Sequence, residues 1–69
     1  MNMGKALRYY RENLGYSTKQ VAEYLNVSID TYNRYETGKT PVRLFRVMQI
    51  GRLLGYTKEQ FITTAKTFD

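Results

Sequence analysis

Only three residues, Asn26-Val27-Ser28, separate two stretches whose apolar side chains recur at helical spacing. A connection that short leaves two helices few arrangements, and the steeply crossed helix-turn-helix pair is one of them. That geometry makes demands. A small residue must sit where the helices approach, and Ala22 supplies it. The turn must accept a left-handed backbone, which asparagine tolerates better than most residues. Apolar side chains must hold the pair together, and Val21, Leu25, Val27, Tyr32 and Tyr35 fall in those places. Seven positions therefore agree with one geometry.

The caps fix the rest. Ser17 followed by Gln20 is a capping box, in which each side chain satisfies an orphan amide of the first turn; it opens a helix over 18–25. Ser28 is a good N-cap for a helix from Ile29 to about Glu36. Thr57 and Gln60 make a second capping box, opening a helix to about Phe68. An apolar stripe through Leu7, Tyr10 and Leu14 predicts a first helix over 3–14, ended by Gly15. Another through Leu44, Val47, Ile50, Gly51 and Leu54 predicts a fourth, opened by Thr40-Pro41 and stopped by Gly55. Gly51, lying on that stripe, suggests close approach by another backbone. No stretch alternates as a strand would. The expectation is one all-α domain over 1–69, a compact five-helix bundle containing a helix-turn-helix.

Composition narrows the function. The chain has 69 residues with no cysteine and no histidine, so neither a disulfide nor a zinc site is expected, and no cofactor is implied. It has no phosphate-cradling glycine loop and no carboxylate pair placed for acid–base work, so an enzyme is not expected. No segment approaches a membrane span or a signal peptide. The net charge of +5 favours a polyanionic partner. From Gly38 onward Lys39, Arg43, Arg46, Arg52, Lys58 and Lys66 face only Glu59 and Asp69. Seven tyrosines invite the idea of base stacking. Tyr10, Tyr16, Tyr32, Tyr35 and Tyr56 fall on core stripes instead, which leaves Tyr9 and Tyr24 as the exposed candidates.

The segments LRYYREN-LGYS (7–17), QVAEYLNVS (20–28), NRYETGK (33–39) and IGRLLGYT (50–57) together resemble the phage repressor and Cro-like (XRE-type) helix-turn-helix family. The resemblance implies a five-helix fold, binding of double-stranded operator DNA, commonly pseudo-palindromic, by two-fold dimers, and control of transcription in a bacterial or phage-type cytoplasm. Carried over by position, it implies base reading by Ile29, Asp30, Asn33 and Arg34. Arginine can donate to guanine O6 and N7 together, isoleucine can touch a thymine methyl, aspartate can accept from cytosine N4, and asparagine can reach adenine or a phosphate. Phosphate anchoring is expected from Ser17, Thr18 and Lys19 at a helix N-terminus, and from Ser28, Lys39, Thr40 and Arg43. It also implies a structural ion pair between Arg11 and Glu36; Glu36 follows inward-facing Tyr35 and would otherwise be a half-buried charge alone.

Three positions depart from the family pattern. Thr18 stands where many members carry glutamine, Tyr32 where many carry isoleucine or valine, and Pro41 lies one residue before the usual proline. The docking angle and base preference therefore do not transfer. Phe61, Ile62, Ala65 and Phe68 exceed what one small core obviously needs, so they are expected to form an isologous dimer surface, the alternative being that Phe61 and Ile62 cap the core and Phe68 frays at the terminus. A module that binds another protein, antitoxin-like or accessory, is the rival to a DNA reader.

Overall fold

A computed structural model describes residues 1–68 and places five helices in order: α1 (Met3–Asn13), α2 (Thr18–Leu25), α3 (Ile29–Thr37), α4 (Leu44–Leu54) and α5 (Lys58–Thr67). No strand occurs among the described residues, and the architecture is the expected all-α bundle. α1 packs against α3, α4 and α5, while α2 packs against α3 and α4. Both capping boxes form. The Gln20 amide donates to Ser17 Oγ at 3.0 Å and the Ser17 amide to Gln20 Oε1 at 2.8 Å. Thr57 and Gln60 repeat the exchange at 2.8 and 3.2 Å.

The apolar faces meet in one core. Leu7, Val21, Tyr32, Val47, Ile50 and Phe61 are its largest fully buried side chains. Tyr10, Tyr16 and Tyr56 pack against it from the edge. Tyr9 and Tyr24 stay about half exposed. The Tyr10 ring lies 4.1 Å from that of Tyr56, tilted by 39°, and meets Phe61 edge-on at 4.9 Å, the latter an arrangement that aromatic quadrupoles favour. Its hydroxyl reaches Thr64 Oγ1 at 2.5 Å, tying α1 to α5.

At two helical glycines a neighbouring backbone leaves no room for any side chain. A Cβ on Gly51 would run into the Tyr56 carbonyl, as its place on the stripe suggested. A Cβ on Gly4 would lie 2.5 Å from the carbonyl oxygens of both Tyr35 and Glu36. The start of α1 is thus pressed against the end of α3, a contact the sequence pattern does not announce.

Several expectations require correction. α1 stops at Asn13 with Leu14 as its C-cap, and Leu14 is exposed; the chain turns there, and Tyr16 packs on the core instead. α4 starts at Leu44 rather than at Thr40-Pro41, with Arg43 as N-cap. Proline holds its predecessor extended; the Thr40 amide is drawn back to the Arg34 carbonyl at 3.2 Å, and Val42 packs on the core before the helix begins. The first turn of α4 consequently overhangs the core and leaves Leu44 exposed. Finally, Phe61 and Ala65 are wholly buried within the chain's own core, so neither is available to a second copy. Phe68 is half-buried with its ring 6.2 Å from Tyr9, and Ile62 is also half-buried.

Candidate nucleic-acid interface

The α2–turn–α3 unit is built as its residues require. Asn26 takes the left-handed conformation at φ 58 and ψ 43. The next amide, Val27, donates to the Ala22 carbonyl at 3.0 Å, closing the end of α2. Ser28 Oγ accepts from the Thr31 amide at 3.0 Å and starts α3. Val21, Ala22, Leu25, Tyr32 and Tyr35 are buried between the helices and the core.

One guanidinium fixes how this unit is held. Arg11 Nε donates to Glu36 Oε2 at 2.6 Å and Nη2 to Glu36 Oε1 at 3.1 Å, a two-pronged pair. Its remaining nitrogen, Nη1, donates to the Tyr16 carbonyl at 2.7 Å. Both charged side chains are nine-tenths buried. Hydrogen bonding to the Glu36 carboxylate raises the Arg11 pKa above its already high ordinary value, against the opposing effect of burial. The expected pair is therefore present, and it does more than neutralise a charge. Tyr16 leads into α2 and Glu36 nearly ends α3, so Arg11 holds the N-terminus of α2 beside the C-terminus of α3.

Tyr32 packs under the same pair. Its hydroxyl is buried without a hydrogen-bond partner among the described residues. Burial pushes its pKa well above the ordinary 10.0, and the nearby Glu36 carboxylate, although outside bonding geometry, pushes in the same direction. The unfolded chain ionises this tyrosine near pH 10 while the folded chain resists. The unfolded state then binds fewer protons, so the stability present below about pH 10 declines as pH rises beyond it, by at most about 1.4 kcal/mol per pH unit. Tyr32→Phe removes both the unpaired hydroxyl and this linkage. The variant is expected to match or exceed the parent in denaturant melts at pH 7 and to lose less stability at pH 11; an identical alkaline loss in both proteins would refute the assignment.

The outer face of α3 carries Ile29, Asp30, Asn33 and Arg34, all exposed. These four sit one turn apart in pairs, 29 with 33 and 30 with 34. Asp30 and Arg34 touch, with Arg34 Nε 3.1 Å from Asp30 Oδ2. At the start of α2, the Thr18 and Lys19 amides belong to the turn that has no intrahelical acceptor, and the Lys19 side chain is exposed. Ser17 Oγ accepts from Gln20, which leaves its hydroxyl proton free to donate. Ser28 differs: its hydroxyl proton is directed to Thr31 Oγ1 at 2.9 Å. Past the end of α3, Lys39 and Arg43 are exposed and Thr40 is half-buried. Arg43 makes no side-chain cap, so the first amides of α4 are uncapped beside it. The placement of the α4 start at Pro41 hid these donors from sequence reasoning. Arg46, one of the cations counted in the basic half, is directed inward, to the Leu25 carbonyl at 3.3 Å and Gln49 Oε1 at 3.0 Å.

Among the described residues no cluster of acidic side chains could hold a metal, and no helix is long and apolar enough to cross a membrane. A family model described as helix-turn-helix matches residues 7–61. No curated protein and no solved structure matches the chain. The matched span contains the capped pair, its clamp and the exposed face of α3, and it covers most of the 69 residues. The chain thus belongs to the XRE-type helix-turn-helix family of phage-repressor and Cro-like proteins, a family of DNA-binding transcriptional regulators.

Proposed function

We propose that the protein is a sequence-specific repressor that lays α3 in the major groove of operator DNA. The observation that carries this reading is the exposed face of Ile29, Asp30, Asn33 and Arg34 on a helix capped at its start and clamped near its end. An α-helix fits the major groove, where each base pair presents a distinct donor and acceptor pattern. Ser17, Thr18 and Lys19 grip one stretch of backbone; Lys39, Thr40 and Arg43 grip another, with Ser28 contributing only where its hydroxyl turns away from Thr31. A repressor needs nothing beyond such occupancy, since a bound protein of this kind excludes others from the same groove.

Operator binding as a two-fold pair belongs to the same reading. With Phe61 and Ala65 taken up in the core, an apolar patch open to a second copy is formed by Leu44, Phe45 and Met48 on α4, each 40–53% exposed. The same patch would serve a protein-interaction module equally well, and that is the competing function.

Selection of duplexes from a random library tests the whole reading. A pseudo-palindrome with half-sites about 10 base pairs apart is expected. Against the selected duplex, Arg34→Ala should cost about 1–3 kcal/mol and flatten the preference at one guanine. Lys39→Gln should weaken binding to every sequence and reduce the salt slope by about one unit. Failure to retain any duplex specifically at low salt would transfer the fold to the protein-binding class.

A further inference from the structure

The Asp30–Arg34 contact gives Asp30 a role distinct from base reading. The groove-facing surface of a DNA-binding helix is a poor place for a carboxylate, since nearby phosphates repel it. Its own helix tolerates it, because a negative charge in the first turn faces the positive end of the macrodipole. The two side chains are more than half exposed, so the pair adds little to folding. Its value lies in what it leaves open. Asp30 accepts from Nε only. The far edge of the guanidinium, Nη1 and Nη2, has no partner among the described residues, and that edge is the fork that can span guanine O6 and N7.

We propose that Asp30 is a positioning residue: it orders the Arg34 guanidinium before DNA arrives, presenting the Nη1–Nη2 edge outward. This inference rests on the reading of α3 as the recognition helix. A long flexible arginine loses rotamer freedom when it docks, and a side chain already held by a neighbour loses less. The carboxylate also balances part of the arginine charge, so Arg34 becomes less attractive to phosphates in general and more dependent on the right base.

The test compares Asp30→Ala, Asp30→Asn and Asp30→Glu, each with and without Arg34→Ala, on the selected duplex, on one with its contacted guanine changed to adenine, and on a random duplex. With Arg34 present, Asp30→Ala and Asp30→Asn are expected to lower selected-duplex affinity about two- to tenfold, the size of a rotamer-ordering cost. They should narrow the guanine-over-adenine ratio and leave random-duplex affinity unchanged or higher. Asp30→Glu, which can still reach Nε, should restore much of the ratio. In the Arg34→Ala background the Asp30 changes should have no effect on that ratio. The melting temperature should barely move in any Asp30 variant, separating positioning from a structural role. In the free protein, the Arg34 Nε–H resonance should shift in Asp30→Asn.

Three results would overturn the proposal. Equal tightening on all duplexes would mean that Asp30 only repels phosphate. A base preference that changes with Asp30 even without Arg34 would mean that Asp30 reads a base itself. Selection of no duplex by the parent protein would remove the recognition reading and this inference with it; in the first two results that reading survives.

Discussion

Arg11→Ala is expected to unfold the protein or strongly destabilise it. The Glu36 carboxylate is almost fully buried and has Arg11 as its two-pronged partner. Removing the cation strands that charge, and breaking a buried pair this way costs about 3–5 kcal/mol. The Tyr16 carbonyl loses its donor in the same step. A chain of this length hides only about 60% of its unfolded surface and has little stability in reserve. At roughly 4–8 °C per kcal/mol, the loss corresponds to a fall of about 12–40 °C in melting temperature. Replacing both partners by apolar residues, Arg11→Met with Glu36→Leu, should recover most of it, because the desolvation penalty disappears with the charges. A thermal melt of Arg11→Ala that overlays the parent would show that the pair contributes nothing to folding.

Phe61→Ala is expected to have a similar effect for a different reason. Phe61 is fully buried and meets Tyr10 and Tyr56 edge-on, at the junction of α1, α4 and α5. Truncating a buried phenylalanine costs about 3–5 kcal/mol, the lost transfer energy plus the cavity left behind. The result also separates two roles. A core residue lowers stability at every protein concentration, whereas a dimer contact weakens association and leaves the isolated copy intact. Denaturant melts at two concentrations a hundredfold apart should show the same loss; a loss confined to the higher concentration would return Phe61 to an interface.

Capping chemistry made most of the fold legible in advance. Ser17, Gln20, Ser28, Thr57 and Gln60 act locally, within three residues of the amides they satisfy, and Asn26 acts through its own left-handed backbone, so their meaning survives without knowledge of the tertiary structure. α2 consequently runs over the predicted span and α3 extends one residue past it. What failed depended on distant partners. The start of α4 was misplaced because Pro41 permits a helix but Val42 and the Thr40 amide are drawn elsewhere. The surplus apolar residues of α5 suggest an interface, but Phe61 and Ala65 are buried in the chain's own core. Gly4 carried no signal, since a glycine near a helix start has several uses and only the carbonyls of Tyr35 and Glu36 reveal this one. At the candidate site, the residues are assigned through family resemblance; Ile29, Asp30, Asn33, Arg34, Lys19, Lys39 and Arg43 are exposed, whereas Thr18 and Thr40 are half-buried. The contact between Asp30 and Arg34 is not anticipated from the sequence, and its meaning depends on which arginine nitrogen is engaged.

The clamp of Arg11 on Tyr16 and Glu36 separates how α3 is aimed from what α3 says. The aim is set from α1, by a side chain that has no place on the outer surface, and it is indifferent to the identities at 29, 30, 33 and 34. On the proposed reading of α3 as the recognition helix, those four sites can therefore drift or be redesigned as a replaceable vocabulary on an unchanged mount, so a descendant of this chain can acquire a new address in a genome without first learning to fold again.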